Sequence, residues 1–181
     1  VKPSLACIPT YSGGRFRLFA PHRGDITIED IAHGLSLLCR FSGQIREFYS
    51  VAQHSELVSK LCAPQHALRG LLHDASEAFL VDIPRPLKSH RQFGFYRRTE
   101  SAAMRAICNT FGVPARQPLS VTLADDTALA TEARDLVTHY EPTDWQWLPQ
   151  PLSERIIPLA PADAEATFLA RFYELRRQVA A

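Results

Sequence analysis

The stretch "RGLLHDASEAFLVDIPRPLK", residues 69 to 88, sets His73 and Asp74 side by side in an otherwise apolar run, and Glu77 follows one helical turn later. Burying three ionisable groups in such a run is costly unless something inside the protein binds them. Successive helix residues lie about 100° apart, so His73 and Asp74 can reach neighbouring corners of one cavity. Glu77, four residues beyond His73, is expected on the same face. An imidazole and a carboxylate converging on one cavity suit a divalent cation. Two donors cannot hold it alone, so further ligands must come from other elements.

Two other segments offer them. "SVAQHSELV" carries His54 on one predicted helix, and "TLADDTALATEARDLV" carries Asp125 and Asp126 on another. The stripe Leu129, Ala133, Leu136 marks that helix's inward side, and Asp125 lies four residues before Leu129. Asp126 is displaced by one position toward solvent, which makes Asp125 the expected ligand. Each residue alone has an ordinary explanation, His54 as a core or surface histidine and Asp125 as a helix cap. The joint order His54, His73-Asp74, Asp125, each on its own predicted helix, is what favours a metal site. Such a mixed nitrogen and oxygen set tolerates manganese, cobalt, iron, nickel, zinc and magnesium to different degrees. Glu77, in an apolar environment one turn away, is expected to hold a proton near neutrality and so to be able to donate it to a leaving oxygen.

The elements that must position these groups are mostly helical. Residues 1–25 read as a hairpin extension: "TYSGGRFRLFAP" has Gly13-Gly14 as its turn and Phe16 and Leu18 on one face. Thr27 and Asp30 begin a helix carrying Ile28, Ile31, Ala32, Leu35, Leu38 and Cys39 inward. Ser50 and Gln53 form an expected capping box for a second helix reaching about Cys62. A third is expected from Pro64 to Leu80, ended by Pro84 and Pro86, a fourth from about Phe93 to Phe111, and a fifth from about Ser120 to Val137. Residues 140–162 are rich in Pro and Trp and too apolar to be disordered, so they are expected to pack across the body. Asp163 is the expected cap of a final helix, Ala164 to Val179. No repeat or linker divides the 181 residues, which reads as one all-α domain spanning 1–181 with a short N-terminal β-hairpin.

A chain of this size can bury roughly 70% of its unfolded surface without disulfide or zinc staples. Twenty basic side chains against nineteen acidic ones leave a formal charge of +1, so nothing draws it in bulk to a nucleic-acid polymer or an anionic membrane. The four cysteines, Cys7, Cys39, Cys62 and Cys108, are scattered without a CxxC pair and read as reduced residues of an intracellular protein. No run approaches the roughly 18 apolar residues of a membrane span. The chain opens on Val rather than Met, as a processed or trimmed terminus would.

The order His54, His73-Asp74, Asp125 resembles the HD superfamily of metal-dependent phosphohydrolases. "HDASEAFLVDIPRPLK" is similar to the corresponding stretch of its bacterial 5′-deoxynucleotidases and of small phage HD-domain deoxynucleoside triphosphohydrolases, and the likeness extends from about Thr10 to Val137. The resemblance implies an HD-domain helical bundle in which His54, His73, Asp74 and Asp125 hold one divalent ion, with manganese and cobalt first and zinc next. It implies catalysis by Asp74 and Glu77, and an Asp82 carboxylate that contacts the sugar 3′-hydroxyl and crowds a 2′-hydroxyl. Arg40-Phe41 resembles an Arg-Trp pair in which Arg grips phosphate and the aromatic lines the sugar pocket, with Phe replacing Trp here. Four ligands of this kind neutralise the ion, so substrate charge must be met from outside, by Arg40 as a bidentate clamp and by Lys88. The implied reaction takes a deoxynucleoside 5′-monophosphate to nucleoside and phosphate. One alternative is release of triphosphate from a deoxynucleoside triphosphate, needing extra cations for which Arg46, Lys60, Arg91, Arg97 and Arg98 are candidates. Another is a non-catalytic nucleotide-binding module. A homo-oligomer, dimer or hexamer, and a bacterial or phage-encoded protein acting in the cytoplasm complete the expectation.

Overall fold

An antiparallel ribbon opens the chain, and eight α-helices follow it among the described residues, which run from 6 to 180 in the computed structural model, side chains excepted at 179 and 180. Residues 1 to 5 of the expected hairpin extension and residue 181 of the expected single domain lie outside that range. Strands β1 (Cys7–Pro9) and β2 (Arg15–Arg17) pair with Ile8 opposite Phe16. Their turn needs a left-handed residue, and Gly13 supplies it at φ 86°. Phe16 is fully buried and stacks on Phe79 at 4.0 Å, while Leu18 packs half-buried against the same core. This is the expected all-α architecture with a short hairpin.

Helix α1 (Ile28–Leu37) begins as predicted, with the Thr27 hydroxyl accepting from the Asp30 amide. The Asp30 carboxylate in turn accepts from Thr27 and from the amide and hydroxyl of Ser12, which fastens the ribbon to the helix. Ile28, Ile31, Ala32 and Leu35 are buried; Leu38 and Cys39 fall beyond the helix and are half-exposed. Helix α2 (Val51–Leu61) is capped by Ser50, which accepts from the Gln53 amide. The reciprocal half of the capping box does not form. The Gln53 amide group instead donates to the Ile157 carbonyl and accepts from the Leu159 amide, backbone groups with no helix or strand to satisfy them.

The predicted third helix is broken. A 3-10 turn (Pro64–His66) leads into α3 (Ala67–Leu71), residues 72 to 76 form a turn, and α4 (Glu77–Leu80) follows. The Gly70 carbonyl accepts from both the amide and the Nδ1–H of His73, and Ala75 donates to Leu72, so bonding tightens to three-residue spacing where His73 and Asp74 sit. Leu71, Leu72 and Ala75 are still buried in helical rhythm, which is why apolar spacing did not reveal the break. Glu77 therefore opens a new helix and does not continue the face of His73.

Helix α5 (Arg85–Ser89) was not expected, because two prolines were read only as breakers; Pro84 precedes it and Pro86 occupies its first turn, where no amide partner is needed. Helix α6 (Gly94–Phe111) ends on Gly112 at φ 71°, and α7 (Leu119–Leu136) follows. Helix α8 (Pro161–Ala180) starts three residues early at a proline, so Asp163 lies in its first turn and is not its cap. Of the expected packing segment 140–162, residues 140–160 are irregular apart from a 3-10 turn (Pro142–Trp145) and do pack across the body, while 161 and 162 already belong to α8. Leu152 donates to Thr131, Ile156 donates to Asp135, and Arg134 donates to the carbonyls of Leu152 and Glu154.

Helix α8 lies against α1, α2 and α3, and α2 also packs on α7. One core joins Phe16, Ile31, Leu35, Val51, Leu71 and Phe168; a smaller one joins Val58, Cys62, Val121, Ala124 and Ala128 between α2 and α7. Two glycines allow the close approaches that matter for the ionisable groups. A Cβ on Gly70 would come within 2.6 Å of Cys62 Sγ and 3.3 Å of Ser59 Cα, so α3 can lie tight on α2. A Cβ on Gly34 would meet Ala78 at 2.9 Å from its Cβ and 3.0 Å from its carbonyl oxygen, next to Glu77. Gly34→Ala is expected to destabilise the fold by about 1–3 kcal/mol through overpacking against that backbone. Denaturant unfolding of the two proteins measures this; equal midpoints would mean α1 and α4 are not in such contact.

Candidate metal centre

Three elements deliver donor atoms to one point. Helix α2 contributes His54, the turn after α3 contributes His73 and Asp74, and α7 contributes Asp125. Donor atoms of His54, His73 and Asp74 all lie within 4.8 Å of one another. His73 Nε2 stands 3.2 Å from His54 Nε2 and 3.0 Å from Asp74 Oδ2. Asp125 Oδ1 is 3.3 Å from His54 Nε2 and 3.8 Å from His73 Nε2. Asp125, and not its neighbour Asp126, is the carboxylate brought to the imidazoles.

The orientation of both rings is fixed from behind. His54 Nδ1 donates to Glu132 Oε1 at 2.6 Å, and His73 Nδ1 donates to the Gly70 carbonyl at 2.8 Å. Each ring thus turns its Nε2 toward the carboxylates, the arrangement in which an imidazole offers a lone pair to a metal. Glu132 is fully buried and also accepts from Arg40 Nη2 at 2.8 Å. Sequence reading missed Glu132. It lies seven residues beyond Asp125, two turns along the same face of α7, and that spacing was the available signal.

The charges of the centre are tightly linked. Burial opposes ionisation of Asp74, yet His73, His54 and Arg40 hold its carboxyl far below the usual range. Asp125 is likewise pulled down against burial, to about 2, by His54 and His73. Burial and the Arg40 charge disfavour a cationic His54, but Glu132 and Asp125 outweigh them and raise it to about 10. Glu77 is the opposite case: burial first, then the charges of Asp74 and Asp82, push its carboxyl up to about 9. It is 5% exposed, its Oε1 lies 3.4 Å from Lys88 Nζ, and its Oε2 is buried without a partner.

The residues expected to contact substrate line one cleft of about 740 Å³ beside the centre: Arg40, Phe41, Asp82 and Lys88, together with Asp74, Glu77 and Asp125. Arg40 is more constrained than a free clamp. Its Nη2 is held by Glu132, its Nη1 stands 3.9 Å from Asp74, and its guanidinium lies 5.6 Å from the Phe41 ring centroid. Lys88 is also engaged, bonded to Glu100 at 2.7 Å. Among the cleft residues not foreseen at the site are Arg85, whose Nη2 is 3.7 Å from Asp125, and Trp145 and Trp147, brought in by the Pro- and Trp-rich segment. Arg46, Lys60, Arg91, Arg97 and Arg98 do not line it.

The donor set fits a divalent ion: two imidazole Nε2 atoms directed inward, that of His54 a lone-pair donor once its proton leaves, and two ionised carboxylates, which together balance a double positive charge. Because Glu132 and Asp125 hold His54 as a cation at neutral pH, loading the ion must displace a proton. Affinity is therefore expected to weaken as pH falls below His54's raised pKa, with about one proton released per ion at pH 7. Calorimetric titration with manganese in buffers of different ionisation enthalpy reads that proton; heats independent of buffer would contradict it. Glu132→Gln is expected to lower manganese affinity about 10- to 100-fold by loosening the His54 ring, measured in the same titration.

No protein-family model matches the chain. It is 40% identical over 174 residues to the uncharacterized protein YfdR of Escherichia coli, covering 94% of this chain and 96% of that one. It is 34% identical over 188 residues to an uncharacterized protein of Rhodobacter capsulatus, covering 93% of this chain and 94% of that protein.

Proposed function

We propose that this chain, which belongs to the same family as YfdR and its Rhodobacter capsulatus relative, is a divalent-metal-dependent phosphohydrolase cleaving the 5′ phosphoester of deoxynucleotides. The observation that carries the reading is the meeting of His54, His73, Asp74 and Asp125 from three separate elements, beside a cleft that also holds a proton-bearing Glu77. A divalent ion held by those four residues, manganese or cobalt first and zinc next, would acidify a water and polarise a phosphoryl oxygen.

The chain's own residues supply the rest. Asp74 and Asp125 are ionised and so available as ligands, and Asp74, on the cleft wall, is the carboxylate assigned to orient the attacking water. Glu77 enters the reaction as the acid: a buried carboxyl that keeps its proton at neutrality can give it to the departing 5′ oxygen. Arg40 Nη1 and the exposed Arg85 face the cleft, where they meet phosphate oxygens. Phe41, Leu129, Trp145 and Trp147 provide apolar and aromatic walls for a sugar and base. Asp82 lines the same cleft and, in line with the HD resemblance, takes the 3′-hydroxyl and disfavours a 2′-hydroxyl.

None of the described helices is long and apolar enough to cross a membrane. Cys39, Cys62 and Cys108 carry free thiols, in keeping with a reducing compartment, and we assign the activity to the bacterial cytoplasm. Exposed Leu119, Leu123 and Ile157 would be covered in the dimer or hexamer that belongs to this reading.

Release of phosphate or a phosphate chain from deoxynucleotides, with manganese or cobalt, tests the proposal. His73→Ala is expected to abolish turnover. Glu77→Gln is expected to lower kcat about 10²- to 10⁴-fold while metal still binds. Asp82→Ala is expected to raise ribonucleotide turnover relative to deoxynucleotide. Turnover by neither wild type nor variants with any of these ions would reject the enzyme reading.

A further inference from the structure

A second cleft, of about 490 Å³, lies where α3, α6 and the connection from α6 to α7 come together. Arg69 reaches it from α3, Arg105 from α6 and Arg116 from the connection, with Ser76 and Gln117 on the same walls. The first cleft is walled by Phe41, Leu129, Trp145 and Trp147; the second has no Phe, Tyr or Trp to receive a nucleobase.

Four cations line this second cleft against two carboxylates. Lys88 is paired with Glu100 at 2.7 Å, and Asp74 is engaged by the imidazoles, 3.0 Å from His73 Nε2. Three guanidinium groups remain, and none of them forms an ion pair among the described residues. Arg69 is only 4% exposed. Its Nε donates to the Pro114 carbonyl and its Nη2 to Gln117 Oε1, both from the connection that also carries Arg116. Its Nη1 is buried without a partner. An idle donor on a buried cation costs more than one on a neutral group, so a fold that keeps one has a reason to. Arg105 and Arg116 are exposed, and their side chains make no hydrogen bond among the described residues. The hydroxyl of the buried Ser76 is likewise unbonded there.

We propose that this cleft is a binding site for free inorganic phosphate, separate from any nucleotide. The buried fork of Arg69 is the fixed donor, Ser76 offers a hydroxyl, and the exposed Arg105 and Arg116 supply the remaining charge. Planar guanidinium groups grip two oxygens of a tetrahedral anion at once. The excess of cations, four against two, matches a phosphate dianion better than a monocarboxylate. An ion held there takes no part in the chemistry of the candidate metal centre, and its binding does not depend on nucleotide hydrolysis.

Calorimetric titration of orthophosphate into the full chain, at fixed ionic strength and without added metal, tests the assignment. Arg105→Gln/Arg116→Gln changes only exposed side chains and is expected to weaken orthophosphate binding about tenfold or more. Arg91→Gln/Arg98→Gln, the same charge change outside both clefts, is expected to alter it less than about twofold. No binding by the wild type, equal losses in the two double variants, or no loss in the first would overturn the proposal. Orthophosphate is also expected to bind equally well when a deoxynucleoside 5′-monophosphate is present in excess. Displacement by the nucleotide would assign the cleft to the nucleotide's own phosphate and overturn a separate site. Thermal unfolding gives a second readout: orthophosphate is expected to raise the midpoint of the wild type and of Arg91→Gln/Arg98→Gln more than that of Arg105→Gln/Arg116→Gln. Equal rises in all three would count against the arginine cleft.

Discussion

Between the imidazole of His54 and the guanidinium of Arg40 stands Glu132, a carboxylate with no exposed surface. Desolvating such charges costs several kcal/mol per ion, and only good geometry with full hydrogen bonding offsets it. Here both carboxylate oxygens are used: Oε1 faces His54 and Oε2 faces Arg40. The three residues belong to α7, α2 and the segment before α2, so satisfying this one carboxylate fixes three parts of the chain relative to each other. The direction of His54 Nε2 follows from it, and so does the reach of Arg40 toward Asp74. The candidate metal ligands depend on a residue that lines neither cleft.

The segment carrying Arg40 shows how firmly it is held. Its amide donates to the Tyr49 carbonyl, and Cys39 and Ser50 form a lone β-bridge that closes the loop. Within that loop Phe41 and Ser42 both sit at positive φ, 54° and 52°, where a side chain is strained. Strain of this kind costs about 1–3 kcal/mol per residue and persists only where the surroundings over-determine it. The Arg40–Glu132 bond and the bridge on either side are that constraint. The result brings Phe41 and Arg40 to the same cleft, with the Arg40 guanidinium 5.6 Å from the Phe41 ring centroid.

What the sequence disclosed follows a physical line. Residues marked by local pattern were legible: Thr27 and Ser50 as caps, the buried rhythm of α1, and the four donors His54, His73, Asp74 and Asp125. Long-range satisfaction was not. Nothing local says that Gln53 will leave its capping box to serve Ile157 and Leu159, or that Glu132 is the partner of His54 from 78 positions away. The break at His73 was hidden for another reason. Apolar spacing reports which side is buried, and a turn with three-residue bonding keeps nearly the same side buried as a helix does. The tryptophans were seen as packing residues, but their place at the cleft depends on how residues 140–162 cross α7.

That break also explains how one centre can border two clefts. In an uninterrupted helix His73, Asp74 and Glu77 would project from one rod, with the next turn of backbone closing off the far side. The turn from 72 to 76 instead presents His73 and Asp74 at a corner, with α3 leading in and α4 leading out. Asp74 then borders both openings, while Glu77, restarting the chain as α4, borders only the aromatic one. A proton-bearing carboxyl at the aromatic cleft and arginines at the other give the two openings different polar character. Gly70 makes the corner possible, since it lets α3 close on α2 and lends its carbonyl to His73.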